Sequence, residues 1–293
     1  MAVPLRSVLA PLAVLLLLLL VLVLALWAGQ RRLIFLPDGS PPGAVEQVLP
    51  GGREVPLTTA DGLQLTAWYL PARGGPREDP PGDGQVSQAA TAVLVAPGNA
   101  GHREARAPLA QALAERGLAV LLLDYRGYGG NPGAPDSGGV VADARAGLAT
   151  LESLGHPRAR TIYFGESIGT GVAAALAAEA PPAGLVLRSP FPRLRDLAQH
   201  HYPWLPVGLL LRERLQVSPH LRSLEAPVTV IYGDADEIVP PAMSAEVAAA
   251  APTLHEEVVL PGVSHNDAVM VGPPVADAVR RLADHVGRVS GTG

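Results

Sequence analysis

Hydrophobic side chains fall along this chain in two patterns. Residues 8–27 form an uncharged run of 20, mostly Leu and Val, whereas from residue 92 onward short apolar runs alternate with Ala-rich stretches. The first pattern predicts a helix: at about 1.5 Å per residue it reaches roughly 30 Å, the thickness of a bilayer's hydrocarbon core. Trp27 at its end and Arg31-Arg32 beyond it suit a membrane boundary. Residues 1–30 therefore read as a single-pass membrane anchor. The alternative is a secretory signal peptide, whose apolar region is usually only about 7–15 residues and ends at a small-x-small site. Leu26-Trp27-Ala28 does not offer such a site. One Arg before the run and two after it leave the orientation open.

Beyond the anchor, residues 32–36, 54–58 and 63–70 predict short strands between Gly, Pro and Asp turn signals. In the last, Leu63, Leu65, Ala67 and Tyr69 alternate with Gln64, Thr66 and Trp68. Residues 71–88 are rich in Gly, Pro and charge and read as an exposed excursion. Six apolar runs follow, at 92–96, 119–123, 161–164, 184–187, 228–232 and 257–260, each suited to a strand buried on both faces. Between them, 103–116, 140–154, 168–178, 242–250 and 274–286 predict helices. Alternating strand and helix means a mostly parallel sheet with helices on both faces, hence one α/β domain over residues 31–293. Residues 190–221 interrupt the alternation. They are apolar and broken by Pro192, Pro203 and Pro206, which fits either a short helical cap over the sheet's carboxyl edge or a long connecting helix.

Composition removes several kinds of chemistry. All 22 basic residues are Arg, so lysine Schiff bases and phosphate-loop lysines are excluded; Cys is absent, so no thiol nucleophile or zinc–thiolate site exists. A net charge of −5 argues against a nucleic-acid partner. No His/Glu cluster has ligand spacing, so neither a metal nor an organic cofactor is expected.

One segment carries specific chemistry. Gly165-Glu166-Ser167-Ile168-Gly169 stands between an apolar strand and an Ala-rich helix, the setting of a G-x-S-x-G nucleophile elbow. Backbone two residues before and two after such a serine is crowded, which Gly165 and Gly169 relieve. The helix that begins there aims its N–H groups, notably that of Ile168, at any oxyanion. A serine needs an imidazole base and a carboxylate to orient it, in the order Ser, acid, His. His265, in a turn-rich loop after a strand, is the best-placed base; His220, His255 and His285 are not presented at a strand's carboxyl end. The acid lies in the loop after residues 228–232, where Asp234, Asp236 and Glu237 all qualify by chemistry. Asp267 reads as a helix cap. Pro97-Gly98-Asn99-Ala100-Gly101 follows the first buried strand, and the Asn99 N–H is the candidate second oxyanion donor. The loop Asp124-Tyr125-Arg126-Gly127-Tyr128-Gly129-Gly130 could line a pocket with its two tyrosines and arginine; the preferred reading is structural, with Asp124 pairing Arg126.

These stretches, with QRRLIFLP, PGNAG, DYRGYGGNPG, GESIGTG, SPFPRLRDLAQHHYPWLPVGLLL, GDADEIVP and GVSHND, resemble the α/β-hydrolase superfamily, in its branch with an N-terminal membrane anchor. The resemblance runs from Gln30 to Asp267. It implies a catalytic triad of Ser167, Asp236 and His265, the acid being the later Asp of a G-x-x-D-x-x-V-P pattern, with Asn99 and Ile168 as oxyanion donors. The family usually has His-Gly-Asn where this chain has Pro97-Gly98-Asn99, a change that removes a side chain and keeps the backbone donor. The activity implied is hydrolysis of an ester or thioester through an acyl-enzyme, on a small-molecule or lipid-like substrate. A peptidase, or a membrane-tethered binding protein without turnover, are the other readings.

Overall fold

The apolar runs become strands because helices cover both of their faces. The computed structural model describes residues 5–74 and 90–290. In chain order it contains α1 (Leu5–Ile34), β1 (Arg53–Thr58), β2 (Gln64–Leu70), β3 (Ala92–Ala96), α2 (Ala107–Glu115), β4 (Ala119–Leu122), α3 (Ser137–Ser153) and β5 (Thr161–Glu166). Then follow α4 (Ile168–Glu179), β6 (Gly184–Arg188), α5 (Leu194–His201), β7 (Val228–Gly233), α6 (Pro241–Ala250), β8 (Leu254–Leu260) and α7 (Pro273–Ser290). The eight strands form one sheet in the order β1-β2-β4-β3-β5-β6-β7-β8. Only β2 runs against its neighbours; the other pairings are parallel.

Alternation along each strand divides the core in two. In β3, Ala92, Leu94 and Ala96 face the layer that holds Val140 and Ala144 of α3, Val172 and Leu176 of α4, and Val247 of α6. Val93 and Val95 face the other layer, with Leu109 and Leu113 of α2 and Val275, Val279 and Leu282 of α7. Each layer removes a row of Leu and Val from water, at about 25 cal/mol per Å² of apolar surface. The chain passes from β3 to β4 on one side and to β5 on the other. The loops after β3 and β5 therefore flank the point where the sheet's winding reverses, the usual place for a site.

Residues 190–221 form the short helical cap. Its base is closed by the Arg193–Gln216 bridge and by Leu194 N–H donating to the Leu215 carbonyl at 2.8 Å. Within it lie α5 and the single-turn helices Val207–Leu210 and Ser218–Leu221. The His201 Nε2–H donates to the Ile238 carbonyl at 2.8 Å, so the cap reaches the loop after β7.

Two expectations need correction. Residues 32–36 are not a strand: α1 continues to Ile34, and only Leu36–Pro37 is extended, pairing in parallel with Ala100–Gly101. The helix continues because its last turn finds partners on the cap. Gln30 donates to the Leu210 carbonyl and accepts from Arg212 N–H, and Arg31 bonds Glu213 at 2.7 Å. The second correction concerns Asp124, which pairs with Arg103 at 2.6 Å and not with Arg126. Arg126 is held instead by Asp143 and Asp61, both distant in sequence. The excursion expected at 71–88 lies, from residue 75, outside the described residues.

Candidate active site

Ser167 stands at the turn between β5 and α4 with φ 52° and ψ −117°, a conformation that L residues rarely adopt. The crowding expected there is present. A Cβ on Gly165 would come within 2.5 Å of the Gly169 carbonyl oxygen, and one on Gly169 would overlap the carbonyls of Ala96 and Pro97. The turn is fixed on both sides, by Ser167 N–H donating to the Arg188 carbonyl at 2.8 Å and by Thr170 donating twice to the Ser167 carbonyl. The Ser167 hydroxyl makes no hydrogen bond among the described residues, and the residue is 8% exposed.

Three acids follow β7, and the structure sorts them. Asp234 is exposed and ties its loop to the next one by accepting from Gly262 N–H at 2.6 Å; Glu237 is exposed as well. Asp236 is buried. One of its oxygens accepts from the N–H groups of Ile238 and Val239, and the other lies 2.7 Å from His265 Nδ1. Burial opposes ionisation of Asp236, but the His265 hydrogen bond and charge and the Val239 N–H outweigh it. Its carboxyl stays below the usual range. An ionised carboxylate can only accept, so Nδ1 carries the proton and Nε2 is left as the basic nitrogen.

The other histidines are occupied elsewhere. His255 lies within β8 and its ring is 4.5 Å from that of His285. His220 is half-buried in the single turn Ser218–Leu221. Asp267 stands at the N-cap position of a 3-10 turn, yet its carboxylate accepts from Ser264 N–H rather than capping that turn.

No hydrogen bond joins Ser167 directly to His265; Arg188 links them instead. Its carbonyl accepts from Ser167 N–H, and its guanidinium donates to the His265 carbonyl at 3.0 Å. Arg188 also contacts Glu166 at 2.8 Å, and Glu166 is gripped on its far side by Arg106 at 2.7 and 3.2 Å. Arg106 in turn donates to the Ala100 carbonyl at 2.8 Å. One buried Arg–Glu–Arg chain thus spans the loops bearing Asn99, Ser167 and His265. Burial works against the Glu166 charge, but Arg188 and then Arg106 bring its pKa down to about 2.

The loop with Asn99 is held from three directions. Tyr128 and Leu36 N–H both donate to the Asn99 carbonyl at 3.0 Å, its side-chain amide donates to the Ile34 carbonyl at 3.2 Å, and Tyr125 donates to the Pro97 carbonyl at 3.1 Å. The backbone N–H groups of Asn99 and of Ile168, first residue of α4, have no hydrogen-bond partner among the described residues. Both tyrosines are buried, so the Asp124–Tyr128 loop is structural, as expected, and supports this backbone.

Sequence reasoning missed Glu166, Arg188 and Arg106. The signal was a charge ending each of two apolar strands; Glu166 and Arg188 are direct cross-strand partners, which becomes visible only once β5 and β6 are known to be neighbours.

Comparison with known proteins agrees with this architecture. The family described as serine aminopeptidase, S33, matches residues 87–222. The chain is 46% identical over 262 residues to the uncharacterised protein Rv2307c of Mycobacterium tuberculosis, covering 89% of each. It is 26% identical to the lysophosphatidylserine lipase ABHD12 of Danio rerio, over 63% of this chain and 54% of that protein. Among solved structures, the esterase Pf2001 of Pyrococcus furiosus superposes with a TM-score of 0.65 at 20% identity, over 85% of this chain and 98% of that one. By its elbow turn, its sheet order and these relatives, the chain belongs to the α/β-hydrolase superfamily.

Proposed function

We propose that the protein is a membrane-anchored serine hydrolase that cleaves a carboxylic ester or thioester, with a lipid-like acyl group as substrate. The observation that carries this reading is the buried Asp236–His265 pair at 2.7 Å, whose loops follow β7 and β8, on the same side of the sheet order as the strained serine turn after β5. Ser167 attacks the acyl carbonyl and its proton passes to His265 Nε2, while Asp236 holds the ring in the required tautomer. The carbonyl oxygen becomes an oxyanion and accepts from the Ile168 and Asn99 N–H groups. Collapse expels the alcohol or thiol, which takes the proton from His265 and leaves Ser167 acylated. Water, deprotonated by His265, then releases the acid and restores the serine.

The support for a lipid-like substrate is threefold. The apolar helix over Pro11–Ile34 is long enough to cross a membrane, Trp204 and Leu209 of the cap are exposed, and one relative is a lipase. Residues 1–30 are the anchor in this reading, and 31–293 the catalytic domain. A peptidase reading draws on the serine aminopeptidase name of the matching family. Amide and ester cleavage share this geometry, so paired ester, thioester and peptide substrates separate the two.

The deciding experiment is labelling of the full chain by a fluorophosphonate probe. Wild type labels covalently and Ser167→Ala does not. A folded wild-type protein that stays unlabelled overturns the proposal.

A further inference from the structure

Arg188 takes no part in the chemistry proposed at Ser167, yet it ends β6 almost wholly buried, at 2% exposed. A cation so placed is costly unless its contacts offset the loss of water. Those contacts run to both halves of the site. The acid and base loops form one half. Asp236 and His265 bond at 2.7 Å, Gly262 N–H donates to Asp234 at 2.6 Å, and Ala235 N–H donates to the Val263 carbonyl at 3.2 Å. The nucleophile turn is the other half, seated by Gly169 on the carbonyls of Ala96 and Pro97. β5, which carries that turn, and β8, which leads to His265, are three strands apart, roughly 14 Å at about 4.8 Å per strand. For His265 to reach Ser167, its loop must lean back over the ends of β7 and β6.

Arg188 stands where that loop arrives. Its carbonyl accepts from Ser167 N–H at 2.8 Å, and its Nη1–H donates to the His265 carbonyl at 3.0 Å. No other donor reaches that carbonyl among the described residues. Nη2 pairs with Glu166 at 2.8 Å and Nε is unpaired, so the grip rests on the two Nη groups. Glu166, the residue before Ser167, is fixed in turn by two bonds from Arg106. Against its burial, Arg188 and then Arg106 hold its carboxyl down at about 2, so the pair stays ionised. One planar guanidinium therefore keeps the peptide of the base and the carboxylate beside the nucleophile in a fixed relative direction. The next residue, Ser189, has φ 50°, and its N–H donates to the Ile231 carbonyl of β7 at 2.7 Å. The segment 188–189 thus bonds the Ser167 turn, the His265 loop and the strand that leads to Asp236.

We propose that Arg188 is a positioning residue: it sets the separation between the Ser167 turn and the His265 loop, and Glu166 sets the direction of its guanidinium. The proposal rests on the hydrolase reading, because that separation matters for a proton passing from Ser167 to His265. Asp236 fixes the tautomer of the ring; Arg188 fixes the peptide from which the ring projects. A displacement of about 1 Å between reacting groups costs about 10²-fold in rate.

The test uses the full chain in detergent and hydrolysis of p-nitrophenyl butyrate, with each variant assayed well below its cooperative melt. Arg188→Met leaves Glu166 paired with Arg106, so no buried charge is stranded and the fold persists. Its kcat falls about a hundredfold while KM stays within about twofold, as expected of a group that acts on the reacting geometry and not on substrate binding. Arg188→Lys keeps the charge but holds one partner at most, and its kcat falls about tenfold. That variant decides the matter if Arg188→Met does not melt cooperatively. Arg145→Gln, which breaks an exposed pair with Glu179, matches wild type. A double-mutant cycle supplies the second readout. In a His265→Ala background, Arg188→Met lowers the residual rate no further, because the group through which Arg188 acts is gone. A hundredfold loss that persists without His265 is a general structural effect and overturns the proposal. So does a kcat equal to wild type in either Arg188 variant, when wild type itself is active. A folded wild type that cleaves no ester overturns the hydrolase reading, and this proposal with it.

Discussion

Glu166 sits between two guanidinium groups with almost no access to water, and the balance of charge there has a consequence for stability. Two buried cations and one anion leave an excess of one positive charge, tolerable only because Arg106 also donates to carbonyls and Arg188 to the His265 carbonyl. Glu166→Gln keeps the shape and deletes the anion. The loss expected from breaking a buried pair is about 3–5 kcal/mol. The pH dependence carries its own sign. The folded pKa of Glu166, about 2, lies below its ordinary 4.5. Between those values the unfolded chain binds more protons, so the stabilisation is complete above pH 4.5 and is lost as pH falls toward 2. Asp236, also depressed, acts in the same direction. Urea midpoints measured from pH 6 down to 3 should therefore drop steeply in wild type and less steeply in Glu166→Gln. Parallel slopes would mean that the carboxylate is not ionised in the folded protein. At this scale the sequence was readable wherever a residue's partner was its neighbour or its motif, as with Ser167, Gly165 and Gly169. It was not readable where the partner comes from another strand. The loop acids after β7 share one chemistry and one spacing, and only burial against His265 separates Asp236 from Asp234.

At the scale of elements, the elbow works by contact between α4 and the end of β3. Gly169 lets the first turn of α4 rest on the carbonyls of Ala96 and Pro97, which brings the Ile168 N–H beside the Asn99 loop. Gly169→Ala has no room for its methyl, because the opposing atoms are backbone. The helix must move outward, at a cost of about 1–3 kcal/mol for overpacking. The two N–H donors then separate, so fluorophosphonate labelling should slow by at least about tenfold while the fold survives, losing donor geometry worth about 1.4 kcal/mol or more. A labelling rate equal to wild type would show that the contact packs the helix and does not set the donors. The buried strands were legible because a short, mostly apolar run of four or five residues between turn signals has few other homes. Residues 32–36 carry a similar apolar run and were misread. Five residues cannot show that a preceding helix keeps its ladder, which here ends with Phe35 N–H donating to Arg31. The cap escaped a single reading for a different reason: its prolines mark breaks but not what the segments between them lie against.

Across the whole molecule, one short stretch connects the apolar helix with the Asn99 loop of the proposed site. The end of α1 bonds the cap through Gln30 and Arg31, and four residues later the same backbone bonds the Asn99 loop. Leu36 N–H donates to the Asn99 carbonyl, the Ile34 carbonyl accepts from the Asn99 amide, and Leu36–Pro37 pairs with Ala100–Gly101. Phe35 between them is 1% exposed and packs in the core. An anchor that only tethered the domain would need none of these bonds. These bonds hold the Asn99 carbonyl and side chain, so in the proposed mechanism the exit of α1 positions the loop that carries the Asn99 N–H. Two shortened chains separate tethering from positioning. One begins at Gly29 and keeps Gln30, Arg31, Ile34 and Leu36; the other begins at Asp38 and loses all four. The first should label with fluorophosphonate at close to the full-chain rate. The second should label at least about tenfold more slowly, as expected when an oxyanion donor is left free to wander, with a cooperative melt confirming that the sheet is still formed. Asn99→Ala in the full chain removes the bond to Ile34 without touching the core, and should reproduce part of that loss. Equal rates in all three proteins would reduce α1 to a tether, and the Asn99 loop would then be held by Tyr125, Tyr128 and Arg106 alone.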